Sequence, residues 1–473
     1  MANDRRSEFS SIKLDVGLGT SAEPAPKPTH NDPFRVVILG DFRCRGGRPD
    51  AGERRQTPVR IDRDNFDDVL QAFAPALEFS GAGRIAISEL DDFHPDRLLR
   101  QPFFLQPREA APAPVAAPRP APKSTLAPAD LLSGSLLEGI LDATEDKRQS
   151  RSSSDPLQAW VEERIAPHLE PVPSPSELDL RDSAENAQAA QLRGLLHAPE
   201  FQSLEALWRA TDFLVRHTDT DGPVSIWLVD ITREDLARDL GSAPTVAELA
   251  LFRLIRSKQP AVLVGAYDFG VSDADLETLV ALGAVAAALG ASCIVGAQPQ
   301  WIGCERYEAL ESPREWAAPP AEAALFRSTA SAHHIGFAAP RFLLRLPYGA
   351  KTDTCEAFPF EEMGDGFEHN RLLWGNSAIL CACLLAASFN EDGWDLRPGT
   401  QSNLDGLPVY IHQLDGETVA QPCAETLMTE QAADAMMQRG VMCLASMKDS
   451  DAVRMVRFHN AAAPAGPLAG PWS

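Results

Sequence analysis

The chain has 473 residues, of which 44% are hydrophobic and 23% charged, and this supplies ordinary buried cores for about three domains. Its formal net charge of -24 argues against binding to nucleic acid or to anionic membranes, because both would repel it. The sequence contains no run of about 18 apolar residues, so we expect no transmembrane helix. The start MANDRRSEFSS lacks the apolar segment of a signal peptide.

The first predicted globular part covers residues 33–105 and follows a polar N-terminus, residues 1–32, that we expect to be flexible. The apolar run from Val36 to Leu39 predicts a strand buried on both faces. In the stretch RIDRDNFDDVL, Asp62 or Asp64 is expected to cap a helix. The apolar positions of this helix recur at helical spacing and are Phe66, Val69, Leu70 and Phe73. Alternation at Ile85 and Ile87 then predicts a half-buried strand.

A linker and an isolated helix are predicted next. Residues 106–130 are rich in Ala and Pro, which favours an extended, semi-rigid linker. In residues 131–156, the stretch GSLLEGILDATE has a capping box formed by Ser135 and Glu138. The apolar face of this helix consists of Leu136, Leu137, Ile140 and Leu141. Between polar flanks such a helix docks either on this chain or in the groove of a partner, and the spacing leaves both open.

Residues 157–458 alternate strands with helices, which indicates βαβ units and a parallel sheet. A long helical region is predicted to break near Pro199, Thr245 and Glu248 are expected to form a capping box, and Ser272 is expected to cap a helix. A further helix is predicted over 370–390, and we expect the Ala/Pro/Gly-rich tail 459–473 to be flexible.

The cysteines of the chain are scattered, and only Cys381 and Cys383 lie close together. Both fall in the helix predicted over 370–390, where residues two apart point to different sides and do not easily share a metal ion. We therefore expect buried, reduced thiols, which are typical of the cytoplasm.

Asp230 and Asp268 follow two predicted strands, at the edge where parallel sheets carry active sites, and two carboxylates could bind Mg²⁺ there. Yet the chain has no Gly-rich dinucleotide motif, no P-loop and no Gly-x-Ser-x-Gly elbow. Because a strand-end Asp more often caps a helix or turn, the sequence favours a protein that is not an enzyme and has no cofactor or metal. A metal- or nucleotide-dependent enzyme using these two residues remains the alternative.

Two regions of the chain resemble known proteins. Residues 33–105 resemble the small sheath subunit of bacterial type VI secretion systems, TssB or VipA, in PFRVVILGDF, the pair Arg54–Arg55, IDRDNFDDVL and ELDDFHPDRLLRQ. Residues 131–458 resemble the large sheath subunit, TssC or VipB. The matching blocks here include GSLLEGILDATE, LRGLLHAPEFQSLEALWRATDFLV, VGAYDF, PRFLLRLPYG, LLWGNSAI, GLPVY and CAETLMTEQAADAMMQRGVMCLASMKDSDAV.

In that family the two subunits form a tight heterodimer, and heterodimers polymerise into a contractile sheath around an inner tube. The unfoldase ClpV recycles the contracted sheath. The resemblance implies a cytoplasmic structural protein with an α/β, sheath-protein-like fold, mixed sheets with flanking helices and two fused subunit-like parts. It also implies that the charged stretch of the small part docks on the large part, and that the helix of Ser135, Leu136, Leu137, Ile140 and Leu141 binds the unfoldase. The docking candidates are Asp62, Asp64, Asn65, Phe66, Asp67 and Leu70.

This sequence also departs from the family pattern. The small part stops near Leu105 without the family's further helices, and the large part ends soon after Phe458 without the C-terminal region that builds much of the sheath wall. We therefore expect a fused protomer that builds, caps or regulates a sheath and does not form long sheaths alone. The expected partners are sheath or baseplate proteins, a ClpV-like unfoldase and the inner tube protein. The alternative is a binding adaptor that links the sheath or baseplate to another component.

Overall fold

The structure, a computed structural model, describes residues 28–46, 57–79, 83–105, 175–364, 366–414 and 416–472. The chain forms two compact units, one that joins Met1–Gln106 to Gln188–Ser473 and one that consists of Pro107–Ala187. In the second unit the described residues 175–187 are helical, and Arg181 Nε lies 2.8 Å from Glu185 Oε1 one turn later. The linker 106–130 and the 131–156 segment, with its candidate unfoldase helix, lie outside the described residues.

The elements of the described residues are numbered in chain order. The strands are β1 (Phe34–Gly40), β2 (Val59–Ile61), β3 (Ala76–Phe79), β4 (Gly83–Ala86), β5 (Val224–Asp230), β6 (Val262–Phe269), β7 (Ser292–Ala297), β8 (Ile335–Ala339), β9 (Phe342–Leu343), β10 (Trp374–Gly375), β11 (Asn403–Leu404), β12 (Tyr410–Leu414), β13 (Glu417–Gln421), β14 (Val441–Ser446) and β15 (Val453–Met455). The α-helices are α1 (Phe66–Phe73), α2 (Pro95–Leu98), α3 (Pro102–Leu105), α4 (Pro175–Leu196), α5 (Pro199–Arg216), α6 (Arg233–Leu240), α7 (Ala250–Ile255), α8 (Asp273–Leu289), α9 (Ala321–Arg327), α10 (Ser377–Asp392) and α11 (Glu430–Gln438).

One nine-stranded sheet organises the first unit. Its strand order is β11-β15-β14-β8-β7-β6-β1-β5-β2, while β9–β10, β12–β13 and β3–β4 form separate two-stranded sheets. The central strands are parallel. The edge strands β2 and β11 and the next-to-edge strand β15 are antiparallel to their neighbours. The predicted α/β class with mixed sheets and flanking helices is confirmed.

The apolar run of β1 is buried on both faces, as its sequence predicts. Val36 and Ile38 belong to one apolar core, and Val37 and Leu39 belong to the other. Helices α4, α5 and α10 contribute to the first core, and α6, α7, α8 and α11 contribute to the second. Because successive residues of a strand point to opposite faces, this short segment of chain supports both layers of helices.

Most predicted elements are present, but two predicted caps are wrong. Helix α1 begins after Asn65 rather than Asp64, and Asp62 Oδ1 accepts the N–H of Asn65 at 3.1 Å in a turn before the helix. Thr245 makes no capping bond to the backbone, because its hydroxyl lies 3.0 Å from Glu248 Oε1. The predicted cap at Ser272 is confirmed, since its Oγ accepts the N–H of Asp275 at 3.3 Å.

Helix α10 begins at Ser377, later than predicted, because residues His369–Arg371 form a separate 3-10 turn and Trp374–Gly375 pairs with β9. Cys381 and Cys383 are buried in this helix as expected. Ile85 lies buried in β4 between exposed neighbours, so the predicted half-buried strand is confirmed.

The C-terminal tail differs from the flexible segment that its composition predicts. Ala461, Ala462 and Leu468 are buried in the apolar cores, and Asn460 Oδ1 accepts the N–H of Gly466 at 2.9 Å. Small residues let this segment pack closely against the sheet. Among the residues that the structure describes, no helix is both long and apolar enough to cross a bilayer.

Candidate functional site

The candidate site is the joint, which we define as the contacts between residues 28–105 and residues 188–472 of the first unit. Strand β1 lies at its centre and pairs with β5 along its whole length, from Phe34 opposite Val224 to Gly40 opposite Asp230. On its other side, β1 pairs with β6 from Val36 to Leu39. Since both edges of β1 are occupied, its backbone polar groups find partners only when the two chain segments are together.

Aromatic side chains pack α1 against α5 at one end of β1. Trp208 of α5 is fully buried, and its ring lies 5.2 Å from the ring of Phe42, 5.9 Å from Phe66 and 5.6 Å from Phe73, all edge-on. Its indole N–H donates a hydrogen bond to the carbonyl oxygen of Phe42 at 3.0 Å. Edge-on aromatic pairs contribute about 0.5–1.5 kcal/mol each beyond the area that they bury.

The candidate docking residues fall into three groups. Phe66 and Leu70 are buried at the joint. Asp62 and Asn65 bond each other through reciprocal backbone and side-chain hydrogen bonds at 2.9 and 3.1 Å. Asp64 and Asp67 are exposed.

The charged contact between this stretch and α5 is made by a basic residue, Arg63, and not by the acidic candidates. The guanidinium of Arg63 donates to the carbonyl oxygens of Val215, at 3.4 Å, and of Arg216. These carbonyls belong to the last turn of α5, where the helix dipole favours positive charge. Sequence reasoning missed Arg63, and its only signal was a basic residue inside an acidic run.

Asp230 is held by arginines of the loop that follows β1. Arg43 donates its backbone N–H to Asp230 Oδ1 at 3.3 Å, and Arg45 Nε lies 3.4 Å from Asp230 Oδ2. Arg45 also pairs with Asp235 at 2.9 Å. Burial raises the pKa of Asp230 to about 6, and the arginines act against this shift. The carboxylate therefore joins the two segments electrostatically.

Asp268 lies in a different environment from Asp230. Strand β1 separates β5 from β6, so the two carboxylates are not brought into one site. Asp268 Oδ1 accepts a hydrogen bond from Asn376 Nδ2 at 3.0 Å, while the arginines of the joint contact Asp230. In the described parts of the chain, no group of three or more His, Cys, Asp or Glu side chains is arranged to hold a metal ion.

A second polar contact of the joint connects α2 to the loop after residue 354. The carboxylate of Asp96 accepts the backbone N–H groups of Glu356, at 2.9 Å, and Ala357, at 3.0 Å, and lies 3.1 Å from Cys355 Sγ. Although partial burial acts in the opposite direction, these hydrogen bonds hold the pKa of Asp96 below its ordinary value.

A buried ion network centred on Arg345 forms a further part of the joint. Its Nε is 2.7 Å from Glu205 Oε1, and its Nη1 is 2.7 Å from Glu362 Oε2. Burial opposes ionisation, but Arg345 and further hydrogen bonds lower the pKa of Glu362 to about 2. Tyr348 stacks under the guanidinium at 4.2 Å and directs its hydroxyl to the carbonyl oxygen of Phe93 at 3.5 Å. Through Tyr348 the network therefore contacts residues 28–105.

The other end of β1 is covered by aromatic residues from late in the chain. The ring of Phe34 lies 4.9 Å from Phe389, 5.8 Å from Trp394 and 6.3 Å from Trp472. The indole N–H of Trp394 donates to the carbonyl oxygen of Asp32 at 2.9 Å. Both ends of β1 are thus covered by side chains from residues 188–472.

Comparison with known proteins divides the chain along the same line as the joint. The family described as VipB, EvpB/VC_A0108, tail sheath N-terminal domain, matches residues 183–461. The family described as type VI secretion system, VipA, VC_A0107 or Hcp2, matches residues 23–103. The type VI secretion system sheath protein TssC1 of Pseudomonas aeruginosa is 30% identical over 295 residues, covering 58% of this chain and 59% of that protein.

This chain therefore spans less than two thirds of the length of that relative. The matches confirm the resemblance of the two segments to TssB (VipA) and TssC (VipB), which are fused here in one chain. Because the match at residues 183–461 covers more than half of the 473 residues, the chain belongs to the VipB family of type VI secretion tail sheath proteins.

Proposed function

We propose that this chain is a structural component of a contractile sheath in which both subunits of a sheath heterodimer are supplied by one polypeptide. It acts in the cytoplasm and catalyses no reaction. The observation that carries the proposal is the position of β1. A strand of the VipA-like segment lies between β5 and β6 of the VipB-like segment, with partners on both edges.

The burial of the joint supports a permanent pairing of the two segments. The side chains of Val36, Val37, Ile38 and Leu39 are fully buried. Full burial of a Val, Ile or Leu side chain stabilises by about 1.5–3 kcal/mol each, so separating the segments would expose several such contributions at once. Covalent connection adds to this by raising the effective concentration of one segment near the other.

Cleavage of the connection tests the pairing. A protease site inserted in residues 106–130 allows the purified chain to be cut without touching the described residues. We expect the two fragments to co-elute in size-exclusion chromatography at low micromolar concentration. Separation of the fragments would show that the joint depends on the covalent connection, and the heterodimer proposal would fail.

Two substitutions within the candidate docking residues provide a matched comparison for the cut chain. Leu70 is fully buried, whereas Asp64 is exposed. Leu70→Ala leaves a cavity at the joint and is expected to weaken fragment association by about 2–5 kcal/mol. Asp64→Ala is expected to leave association unchanged, because a solvated carboxylate contributes little.

Participation in a sheath is tested by co-sedimentation. Sheath subunits of the same secretion system are assembled with and without this chain, and the tubes are pelleted and imaged by electron microscopy. We expect the chain to appear in the pellet with the tubes. If it stays in the supernatant while tubes form normally, the proposed role in the sheath is wrong, whatever the cleavage experiment shows.

The unfoldase is proposed as a further partner. The helix expected at Ser135, Leu136, Leu137, Ile140 and Leu141 lies outside the described residues, so this proposal rests on the resemblance of GSLLEGILDATE to the family. Baseplate and inner tube proteins are proposed as partners on the same ground.

A further inference from the structure

A polar cavity of about 550 Å³ opens at the C-terminal ends of the central strands, on the VipB-like side. It lies between α5, the start of α10 and the loops after β6, β7 and β8. This is the edge of a parallel sheet at which α/β proteins bind ligands, and the volume falls within the range of about 300–1,000 Å³ that is usual for ligand pockets. None of the contacts at the joint described above occupies it.

The inner wall of the cavity carries a carboxylate with unused hydrogen-bonding capacity. Asn376 accepts the N–H of Ala378 through Oδ1 at 2.9 Å, which fixes its amide so that Nδ2 points to Asp268 Oδ1 at 3.0 Å. The second carboxylate oxygen, Asp268 Oδ2, makes no hydrogen bond within the described residues. Burial raises the pKa of Asp268, and the charges of Arg341 and Arg233 oppose this shift only in part.

Gly296 makes room for this arrangement. A Cβ atom at this position would lie 1.9 Å from Asp268 Oδ1 and 2.6 Å from Asn376 Nδ2. The strand therefore needs a residue without a side chain at this point, so that Asp268 and Asn376 can meet over its backbone.

The two cations that act on Asp268, Arg341 and Arg233, are already paired with other carboxylates. Arg341 donates through Nε to Glu425 Oε2 at 2.9 Å and through Nη2 to the other oxygen of the same carboxylate. His369 Nε2 lies 3.1 Å from Glu425 Oε1. Arg233 is likewise paired with Asp275. Since both cations are shared with other carboxylates, they compensate the charge of Asp268 only in part.

The rest of the lining suits a long side chain with a charged end. Apolar groups that face the cavity belong to Leu207, Ala210, Ala266, Leu372 and Ile379. The lining also includes two acidic residues, Glu305 and Glu308, and the basic Arg306. The whole chain carries a net charge of -24, so it attracts basic partners. Lysine and arginine combine an aliphatic stem with a cationic end, and they bury the stem along apolar surface.

We propose that this cavity receives an arginine or lysine side chain from an exposed segment of a partner protein, whose cationic end pairs with Asp268. The stem of that side chain lies against the apolar wall formed by α5 and α10. The site goes beyond the sheath role proposed above and does not depend on it.

The probes are short capped peptides whose binding is measured by saturation-transfer difference NMR on the intact chain. Acetyl-Ala-Arg-Ala-amide and acetyl-Ala-Lys-Ala-amide are compared with acetyl-Ala-citrulline-Ala-amide, which has the shape of the arginine peptide without its charge. We expect the basic peptides to bind at least tenfold more tightly than the citrulline peptide. Equal binding of the arginine and citrulline peptides, or stronger binding of acetyl-Ala-Glu-Ala-amide, would overturn the proposal.

Substitutions place the binding in the cavity. Asp268→Asn keeps the oxygen that accepts from Asn376 and removes the charge, so the arginine peptide should bind at least tenfold more weakly. Asp221→Asn changes an exposed aspartate of the loop before β5 and should have no effect. Unchanged affinity in folded Asp268→Asn would rule out the site. If that variant fails to fold, the comparison of arginine with citrulline on the parent chain still decides. No other sheath subunit is present, so a negative result leaves the co-sedimentation test unaffected.

Discussion

Trp208 and Phe42 are 166 residues apart in the chain and are joined by a buried hydrogen bond of 3.0 Å from the indole N–H to the carbonyl oxygen. Phe42 follows β1, and Trp208 lies in the middle of α5. The carbonyl of Phe42 lies beyond the end of β1, where strand pairing no longer provides a donor, so the indole supplies it. This directional hydrogen bond joins the VipA-like segment to the VipB-like segment in addition to the apolar contacts between them.

Trp208→Phe is expected to destabilise the chain by about 1–3 kcal/mol, because it keeps a ring but leaves a buried carbonyl without a donor. Trp208→Ala should cost about 3–5 kcal/mol, because it also opens a cavity. Urea unfolding measures both values. Trp227→Phe is the control, since the indole of Trp227 is only half-buried and bonds Ser225 within its own strand. An equal loss in the control variant would contradict the special role of the Trp208 bond.

Arg345→Met should destabilise the chain by about 3–5 kcal/mol at neutral pH, because it leaves the buried carboxylate of Glu362 without its arginine and leaves Glu205 with Arg209 alone. Arg181→Met provides the comparison, since Arg181 forms an exposed pair with Glu185 and its loss should leave stability nearly unchanged. Calorimetric melting compares the two variants. Similar losses would show that the network adds no more than a surface pair.

The same network predicts a pH dependence. The folded-state pKa of Glu362, about 2, lies below its unfolded value near 4.5, so its stabilising contribution is complete above that value and is lost as the pH falls towards 2. In Arg345→Met this contribution should be reduced, and the difference in unfolding free energy between parent and variant should shrink on acidification through this window. A difference that stays constant with pH would contradict the coupling of Glu362 to Arg345.

The raised pKa of Asp230 predicts a pH dependence of stability with the opposite sign. Its folded-state pKa of about 6 exceeds the unfolded value of 3.8, so the unfolded chain releases the proton first as the pH rises from about 4 to about 6. Unfolding is therefore favoured over this window, by at most about 3 kcal/mol. Asp230→Asn removes the titration, and the stability of this variant relative to the parent should rise with pH between those values. Denaturant unfolding at several pH values measures it, with Asp221→Asn as a control that should follow the parent.

The double substitution Leu137→Asp and Ile140→Asp tests the proposed unfoldase helix. Apolar side chains contribute about 1.5–3 kcal/mol each when fully covered, so two charges should abolish binding to the N-terminal domain of the unfoldase. The melting temperature should not change if the helix is a free recognition segment. Glu138→Gln, on the polar side of the same turn, is expected to preserve binding. A melting temperature several degrees lower, with no binding in the parent, would identify the helix as part of the chain's own core.

Local patterns predicted the elements of the joint but not their neighbours. The run Val36–Leu39 indicates a doubly buried strand because it is apolar at every position, and the helical spacing of Phe66 and Leu70 predicts a buried face. That β1 lies between β5 and β6 depends on pairing with residues 190 positions away in β5 (Phe34 with Val224) and 226 positions away in β6 (Val36 with Val262), for which a local window carries no signal. Arg63 was missed for the same reason, because only the position of α5 gives this cation a partner.

The cap predicted at Thr245 shows how tertiary contacts override a local motif. The N–H groups at the start of α7 are accepted by the carboxylate of Asp239, at 3.0 Å from Ala250 and 2.9 Å from Leu251. The α-helix thus begins at Ala250, after a 3-10 turn over Val246–Glu248, and a charged acceptor from the preceding helix caps this later start. The cavity beside Asp268 could not be predicted either, because its lining comes from segments far apart in the sequence.

The central position of β1 also has a consequence for how the protein is made. Strand β1 leaves the ribosome before β5 and β6, which are completed only after residues 230 and 269 have been added. At about 5–20 residues per second, the apolar run Val36–Leu39 waits on the order of 10–50 s before its neighbours exist. During this interval the hydrophobic segment has no strand to pair with, so a chaperone that shields it on the nascent chain should improve the yield of folded protein.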